Sequence, residues 1–350
     1  MFETLKQQGN ISYENIPGIK VYLLPAESIN LRQVMMTQNI LGIVRFGEDE
    51  GYPELEGLKV CFPAMNVVMK TFSAKAYYEV WTSENTVACG NLQGLQFSSD
   101  GFHQLLTVCI KEEDRDLRKI GRLAYDLIFQ SVEENNYPNI SRVWNHIPNI
   151  NQFGDGTERY IRFCLGRAEA FAKNGNIFPA ATGIGCQGNS LCIYMISMRK
   201  DMNIYLENPN QTPAYKYPEK YGIKPPSFAR GAYTDCGGGR GRLYVSGTAS
   251  IIGSETVHVG EAARQCETTL NNISVLISGT NLSSYGINKA FTLKNLDCIK
   301  VYIKDEADYE IINTICSRSF SPDKSIAYLK ADVCRNDLLV EIEGIVMEDP

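Results

Sequence analysis

A short internal repeat is the feature of this 350-residue chain that most constrains its fold. Residues 108–113 (VCIKEE) and 301–306 (VYIKDE) each run from an apolar, strand-like stretch into an Ile-Lys-acid-Glu junction. A helical pattern of apolar residues follows each junction. Because the same strand, junction and helix occur twice in the same order, the sequence predicts two similar α+β halves.

The first half is predicted to combine short strands with one amphipathic helix. β-branched and aromatic residues between Gly and Asn turns predict strands at 40–44, 77–81 and 105–110. From Asp114 onward, apolar residues recur at helical spacing, namely Leu117, Ile120, Ala124, Leu127 and Ile128. A helix is therefore expected to pack on this sheet.

The polar stretch 148–156 is the best candidate for a linker. We place the predicted domain boundary near Asn151, which divides the chain into domains 1–150 and 151–350. The patterns after this boundary predict two long helices, at 158–173 and 261–277, a further helix bearing Tyr309, Ile312 and Cys316, and strands at 191–198, 202–206 and 242–252. The predicted class is α+β, with a mixed β-sheet covered by helices on one face in each domain.

Composition argues against several classes of protein. No stretch approaches the ~20 apolar residues of a membrane span. Residues 1–6 lack the basic and apolar regions of a secretory signal, so a cytoplasmic protein without membrane contact is expected. The formal net charge of −6, without a Lys/Arg-rich run, argues against nucleic acid as a partner.

The cysteines and histidines give no metal-ligand pattern. Eleven cysteines without a Cys-x-x-Cys pair are expected to be reduced and mostly buried. His103, His146 and His258 are isolated from one another and from cysteine clusters. We therefore expect no metal and no other cofactor.

The last predicted strand carries two carboxylates inside an apolar run. In residues 337–344 (DLLVEIEG), Glu341 and Glu343 project from one face and Val340 and Ile342 from the other. If the glutamate face is solvated, the segment is an ordinary half-exposed strand. If it lines a closed pocket, burial and the neighbouring like charge raise a glutamate pKa toward a value suited to proton delivery near neutrality.

Two glycine-rich segments favour structural interpretations. Residues 183–188 (GIGCQG) match G-x-G-x-x-G, but a strand-like segment follows where a nucleotide site needs a helix. We interpret these glycines as positions near a turn or pocket wall where the backbone needs the conformational freedom of a residue without a side chain. Residues 237–241 (GGGRG) lie between strand-like segments and predict a flexible hairpin loop.

Several polar or reactive side chains lie in apolar surroundings. Taken singly, Arg162, Arg167 and Arg230 fit salt bridges or a solvated helix face. Taken together they fit a dicarboxylate site, because a guanidinium fork binds a carboxylate through two parallel hydrogen bonds. An isolated cysteine such as Cys334, seven residues before Glu341, is most often inert packing.

A series of motifs resembles the chorismatases, enzymes that release pyruvate from chorismate. In order along the chain these are RVWNHIPNIN, YIRFCLGRAEA, PAATGIG, NIYLENP, YPEKYGIKPPSFARGAY, GRLYVSGTASIIGSETVHVGEAARQCETTLNNI, IKVYIK and DLLVEIEG. The resemblance covers roughly 142–344 and implies chorismate as the small-molecule partner. It also implies two domains of the YjgF/RidA-like (chorismate mutase-like) α+β fold, an N-terminal degenerate one and a C-terminal catalytic one.

The resemblance implies roles for individual residues. In that family the glutamate at the position of Glu341 is the proposed proton donor to the enolpyruvyl methylene carbon, which produces an oxocarbenium ion. A carboxylic acid with a raised pKa is a suitable general acid for this step. Arg162, Arg167 and Arg230 fall in matching motifs and are implied to hold the two carboxylates, in an order left open. Tyr221 is implied to orient a substrate oxygen.

Three positions separate two outcomes in the family. Hydrolytic members carry alanine at the places of Gly247 and Cys334 and an apolar residue at Gln211, whereas members that make 3-hydroxybenzoate carry glycine and cysteine at the first two. All three positions therefore imply the 3-hydroxybenzoate type. In this interpretation Gly247 makes room for a different substrate pose, and the Cys334 thiol assists ring opening and aromatisation.

Alternatives remain open at this point. They are a hydrolytic chorismatase that gives pyruvate and a trans-dihydroxycyclohexadiene carboxylate, a RidA-type enamine or imine deaminase, and a non-catalytic dicarboxylate-binding module. Lys324 occupies the place of an arginine that RidA-type deaminases usually carry, which weakens the second alternative. The oligomeric state, monomer or trimer, stays undecided.

Overall fold

This computed structural model describes residues 16–52, 60–113, 116–154, 156–175 and 177–348. Three large β-sheets, with helices packed against them, form the framework of this part of the chain. We call them the N-terminal, middle and C-terminal sheets. Residues 1–6, on which the prediction about a secretory signal rests, lie outside the described residues, as does Asp114.

The N-terminal sheet has four strands in the order β1-β4-β2-β3. The elements are β1 (Ile19–Pro25), α1 (Leu31–Thr37), β2 (Asn39–Gly47), β3 (Ala64–Val68) and β4 (Ala76–Ser83). Helix α1 begins where the Asn30 side chain accepts a hydrogen bond from the Gln33 backbone N–H. It packs Leu31 against Ile40 and Ile43 of this sheet.

The middle sheet has six strands in the order β11-β8-β12-β7-β6-β5. In chain order its region contains β5 (Ala88–Leu92), β6 (Leu95–Ser99), β7 (His103–Lys111), α2 (Leu117–Glu134), β8 (Asn139–Pro148), β9 (Phe153–Gly154), β10 (Thr157–Glu158), α3 (Arg159–Lys173), β11 (Ala180–Cys186) and β12 (Ser190–Met198). Strands β9 and β10 pair with each other as a separate hairpin. Helices α2 and α3 bury their apolar sides on one face of this sheet.

The C-terminal sheet has six strands in the order β13-β14-β15-β20-β18-β19. Its region contains β13 (Asn203–Leu206), β14 (Gly231–Gly237), β15 (Arg240–Ala249), β16 (Ile251–Ile252), β17 (Glu255–Thr256), α4 (Ala262–Leu276), α5 (Gly279–Ser284), β18 (Asp297–Ile303), α6 (Tyr309–Ser319), β19 (Ile326–Lys330) and β20 (Val340–Met347). Helices α4 and α6 cover one face.

The predicted α+β class and the two similar halves are confirmed. Each six-stranded sheet is mixed, with one parallel pair, β11 with β8 and β19 with β18, and antiparallel pairs elsewhere. The short repeat does not join equivalent elements, however. By strand order β7 corresponds to β15, and β18 corresponds to β8. The repeated residues therefore lie at two junctions that are not equivalent, and the duplication shows in the topology.

The sheet pairing does not support a division near Asn151. Strand β8 precedes that residue, yet it pairs with β11 and β12, which follow it. A boundary between 150 and 151 would separate these hydrogen-bonded strands. We propose instead that the two halves divide in the short link between β12 and β13.

The three sheets enclose a common core of large aromatic side chains. The Trp144 and Tyr194 rings stack with centroids 4.4 Å apart, and Trp81 of the N-terminal sheet meets Trp144 edge-on at 5.9 Å. All three are fully buried. The N-terminal sheet, which the sequence did not separate from the middle one, thus completes the core. None of the described helices is both long and apolar enough to cross a membrane.

Candidate active site

A cavity of about 520 Å³ lies where the middle and C-terminal sheets meet. Its walls come from β11, β15 and β20, from the hairpin at 153–158, and from two loops, at 217–230 and 334–337. Tyr217, Pro226 and Phe228 make one wall aromatic and apolar. Cavities with apolar walls and a few convergent polar groups are typical of small-molecule sites.

A β-bulge joins the two sheets at this cavity. Val245 pairs with Gly344 and Thr248 with Ile342, so Ser246 and Gly247 together face Glu343 alone. The bulged residues bond to β11: the Ala181 backbone N–H donates to Ser246 Oγ at 3.0 Å, and the Gly247 N–H donates to Thr182 Oγ1 at 2.9 Å. The bulge therefore holds β11 and β15 side by side as cavity walls.

Glu341 lies on the cavity wall and is only 4% exposed. Burial, with the negative charge of Glu343 as the next cause, raises the pKa of its carboxyl to about 8, although Arg142 and Arg230 oppose the rise. Of the two interpretations of the glutamate face, the closed pocket is the one the structure adopts. With this pKa the carboxyl is mostly protonated at neutral pH.

Glu343, two residues further on, is held in the opposite state. Its carboxylate accepts hydrogen bonds from Trp144 Nε1 and the Tyr302 hydroxyl, both at 3.0 Å, and pairs with Arg142 at 2.5 Å and Lys300 at 2.8 Å. Burial opposes ionisation, but Lys300 and Arg142 hold the pKa of Glu343 down to about 2. Two neighbouring carboxyls with pKa values moved apart are typical of acid–base sites.

Arg230 is the predicted arginine that reaches the cavity. It is buried, and its Nη2 donates to the Thr212 carbonyl at 3.0 Å and to the Tyr217 hydroxyl at 2.5 Å. Its Nε is buried without a hydrogen-bond partner among the described residues. A buried N–H left open at a cavity wall suits a carboxylate oxygen of a ligand.

Arg335 is a second cavity arginine, and the sequence analysis missed it. Its guanidinium stacks 3.7 Å above the Tyr221 ring, and Nη1 donates to the Ser254 carbonyl at 2.8 Å. Its Nη2 is buried and has no partner in the part of the chain that the structure describes. The position next to Cys334 was the available signal, but stacking on Tyr221 depends on a loop distant in sequence.

The structure does not bring Arg162 and Arg167 to the cavity. Arg162 Nε pairs with Asp116 at 2.7 Å on the outer side of α3. Arg167 is buried beneath the sheet, with its guanidinium 5.1 Å from the Tyr125 ring centroid and 5.0 Å from that of Phe171. Neither residue lines the cavity, so Arg230 and Arg335 replace them as the candidate carboxylate ligands.

Tyr221 and Gln211 have supporting positions. Tyr221 lines the cavity, and its hydroxyl donates to Glu255 at 3.0 Å, so its ring serves Arg335 as a stacking platform. Gln211 is buried outside the lining, and its Nε2 donates to the Ile251 carbonyl at 3.1 Å. It fixes the wall strand that carries Ile251, and its role toward a ligand stays a prediction.

Cys334 lines the cavity next to Glu341. Burial, followed by the charge of Glu341, raises the pKa of the thiol to about 12. A thiol with this pKa is protonated at neutral pH, which makes it a weak hydrogen-bond donor and a poor nucleophile. The local environment therefore favours a role in shaping or donating over nucleophilic attack.

Three minor predictions can be compared with the structure. The G-x-G-x-x-G segment runs from β11 through a turn into β12, and Gly183 lines the cavity, as expected for a pocket wall. The glycine-rich segment at 237–241 forms the β14–β15 hairpin, with positive φ at Gly237, Gly238 and Gly239. Lys324 pairs with Asp297 at 2.7 Å and does not line the cavity.

Known proteins resemble this chain along most of its length. Residues 79–197 match the family model described as "Chorismatase FkbO/Hyg5-like, N-terminal". A 3-hydroxybenzoate synthase from Streptomyces hygroscopicus is 40% identical over 324 residues, which cover 89% of this chain and 92% of that protein. A chorismatase from Streptomyces rapamycinicus is 36% identical over 289 residues, covering 81% and 86%.

A solved structure agrees with these relatives. The crystal structure of a chorismatase superposes on this fold with a TM-score of 0.87 and 32% sequence identity, covering 94% of this chain and 98% of that chain. The similarity includes the region of the cavity and all three sheets, since so little of either chain is left out. The chain belongs to the chorismatase family.

Proposed function

We propose that this protein converts chorismate to pyruvate and 3-hydroxybenzoate, with Glu341 as the general acid. The observation that carries the proposal is the buried Glu341 carboxyl, protonated at neutral pH, on the wall of a cavity that two arginines also line. The 3-hydroxybenzoate synthase at 40% identity supports this product.

The first step is protonation of the enolpyruvyl methylene carbon by Glu341. The proton moves from the carboxyl to the carbon and leaves an oxocarbenium ion and a carboxylate. A donor with a pKa near the working pH is suited to this step, since it is both protonated and able to release its proton. With an ordinary pKa of 4.5, only roughly one carboxyl in three hundred would carry the proton at pH 7.

Arg230 and Arg335 are the proposed ligands of the two substrate carboxylates. Each lines the cavity and keeps one buried N–H free of protein partners among the described residues. Each is also held rigid, Arg230 by Thr212 and Tyr217 and Arg335 by Ser254 and Tyr221. Such pre-positioned guanidinium groups bind carboxylates with little loss of side-chain freedom.

The product depends on whether water reaches the cation. Chorismate is converted to 3-hydroxybenzoate and pyruvate without consuming water, whereas hydrolysis adds one water molecule. The aromatic and apolar wall of Tyr217, Pro226 and Phe228 limits water beside the reacting carbon. In the proposed reaction the neighbouring ring hydroxyl, in place of water, therefore reacts with the cation of the same molecule. Cys334 and Gly247 shape the substrate pose that allows this.

Incubation of the purified protein with chorismate tests the proposal. We expect pyruvate and 3-hydroxybenzoate in a one-to-one ratio, without added metal or nucleotide. Pyruvate with a non-aromatic diol would assign the hydrolytic outcome, and chorismate binding without pyruvate would assign a binding module. Turnover of an enamine instead of chorismate would assign the deaminase class, for which the Lys324–Asp297 pair outside the cavity is an unfavourable observation.

The setting of the enzyme is part of the proposal. We propose that it works in the cytoplasm, where its eleven cysteines stay reduced. We also propose a monomer, because three sheets pack around one core within a single chain. Equilibrium sedimentation at micromolar concentration distinguishes a monomer from a trimer.

A further inference from the structure

A chain of buried ion pairs connects the N-terminal sheet to the catalytic strand. Lys300 on β18 pairs with Glu79 on β4 at 2.6 Å and with Glu343 on β20 at 2.8 Å. Glu343 in turn pairs with Arg142 on β8 at 2.5 Å. All four residues are 2% exposed or less. We call this set, Glu79, Lys300, Glu343 and Arg142, the core charge chain.

Glu79 is firmly placed in this chain. Its Oε1 accepts a hydrogen bond from Trp81 Nε1 at 2.8 Å, and its Oε2 accepts one from the Tyr194 hydroxyl at 3.1 Å in addition to the Lys300 contact. Although burial opposes it, Glu343 and Glu79 raise the pKa of Lys300, which therefore stays cationic. Glu79 is thus one of the two carboxylates that hold Lys300 in place.

The core charge chain has no net charge. Two carboxylates and two cations alternate along it, and Glu341 precedes its member Glu343 by two residues on β20. An ionised Glu341 would add a second negative charge close to Glu343 at a buried position, and the cost of that charge favours the protonated carboxyl although Arg142 and Arg230 oppose it. Glu343 and Arg142 act on the Glu341 carboxyl directly. Lys300 contacts Glu343, and Glu79 contacts Lys300, so these two residues set the charge around Glu343.

We propose that Glu79, supplied by the N-terminal sheet, is a positioning residue that acts through Lys300 and Glu343 to keep the Glu341 carboxyl in its proton-donating form. Without the Glu79 charge, Lys300 and Arg142 would outnumber Glu343, and the excess positive charge would favour the carboxylate form of Glu341. The inference rests on the proposed role of Glu341. It assigns a function in the reaction to the sheet that does not line the cavity.

Other charged or titratable groups surround the same region and remain constant in the test. Besides the chain members Glu343 and Arg142, the groups that act on Glu341 or line its cavity include Arg230, Cys334, Arg335, Tyr160 and Asp337. Those facing the core charge chain are Tyr194, Tyr302 and His146. Burial and the charge of Lys300 lower the pKa of His146 to about 3, so this ring is neutral across the range of the measurement.

The proposal predicts that two substitutions shift the pKa of Glu341 in opposite directions. Glu79→Gln leaves the chain with one excess positive charge, so the pKa of Glu341 should fall. Lys300→Met leaves one excess negative charge, so the pKa should rise. Each shift is expected to be on the order of one pH unit. On the alkaline side of the pH profile, a shift of this size changes the rate of pyruvate release about tenfold. Tyr194→Phe is the matched control, because it removes hydrogen bonds to Glu79 and Lys300 without changing a charge.

The experiment measures the Glu341 proton in two ways. The pH profile of pyruvate release gives the kinetic pKa, and carboxyl ¹³C NMR of glutamate-labelled protein, assigned with Glu341→Gln, gives it without turnover. A lower value in Glu79→Gln, a higher one in Lys300→Met and an unchanged one in Tyr194→Phe support the proposal. If Glu79→Gln does not fold, the rise in Lys300→Met decides alone.

Three outcomes separate the two levels of the inference. Equal losses of activity at every pH, with the Glu341 pKa unmoved, would show that Glu79 has only a structural role and overturn the proposal. Shifts in the same direction for both variants would also overturn it. Opposite NMR shifts in a protein that does not cleave chorismate would uphold the charge coupling while removing the proposed function.

Discussion

The Glu341 carboxyl lies directly against the backbone of Gly247. A Cβ atom at position 247 would overlap Oε1 of Glu341 and lie 2.9 Å from its Cδ and 3.1 Å from Thr182 Oγ1. The space left by this glycine is therefore occupied by the proposed catalytic group. An alanine would not displace backbone, but it would turn the carboxyl away from its position.

Gly247→Ala should slow pyruvate release by about tenfold to a hundredfold, since small misplacements of a reacting group have effects of this size. Thermal stability should change little, because the end of a flexible side chain moves. Gly188→Ala is the matched control, as the nearest atoms to its added Cβ would be those of Val68 at an ordinary 3.6 Å. Wild-type rates in Gly247→Ala would mean that the Glu341 position seen here is not the reactive one.

Glu341→Gln should retain chorismate binding and lose most pyruvate release, by about 10² to 10⁴, the usual contribution of a general acid. Calorimetric binding and a coupled pyruvate assay measure the two properties separately. Full activity in this variant would remove Glu341 from the mechanism.

The rate of pyruvate release should stay level up to about pH 8 and then decline tenfold per pH unit. The sign follows from the reaction, because Glu341 acts in its protonated form and burial raises its pKa to about 8. A profile that already declines from pH 5 would show an ordinary carboxyl pKa and contradict the buried site. Initial rates across pH 5–10 with saturating chorismate provide the measurement.

Arg335→Ala should weaken substrate binding by about tenfold to a hundredfold, as expected for the loss of charge-assisted hydrogen bonds. Arg162→Ala removes a guanidinium of the same size from the outer side of α3, where it pairs with Asp116, and should leave KM unchanged. A higher KM in Arg162→Ala, together with unchanged binding in Arg335→Ala, would restore Arg162 as the carboxylate ligand.

Cys334→Ala combined with Gly247→Ala should shift the products toward the non-aromatic diol. The two substitutions change the cavity wall on both sides of Glu341 and alter the substrate pose relative to water. The ratio of 3-hydroxybenzoate to pyruvate, measured by chromatography, is expected to be one in the wild type and to fall in the double variant. An unchanged ratio would show that these positions do not control the outcome.

Local patterns predicted most of the elements, because they depend on spacing along the chain. Helices at 158–173 and 261–277 correspond to α3 and α4, and the alternation in 337–344 correctly placed Glu341 and Glu343 on one face of β20. The strands at 40–44 and 77–81 were also correct, although they belong to a separate N-terminal sheet. Strand pairing is a long-range property, and no spacing rule distinguishes one sheet from two.

The arginines show the same limit at the site. Arg162, Arg167 and Arg230 have similar apolar neighbours in the sequence, but their partners come from other elements: Asp116 for Arg162 and the Tyr125 ring for Arg167. Arg335 was missed because the ring beneath it belongs to a loop more than a hundred residues earlier. Local context identifies candidates, and only packing decides which of them reach the cavity.

The β-bulge at Ser246 and Gly247 has a consequence for assembly of the enzyme. It fastens β11, from the first part of the chain, to β15, from the last, and the cavity exists only when that connection has formed. Neither half expressed alone would own a complete site. Catalytic competence during refolding should therefore appear late, after the two halves dock, and its recovery reports on docking itself and not on the formation of either sheet.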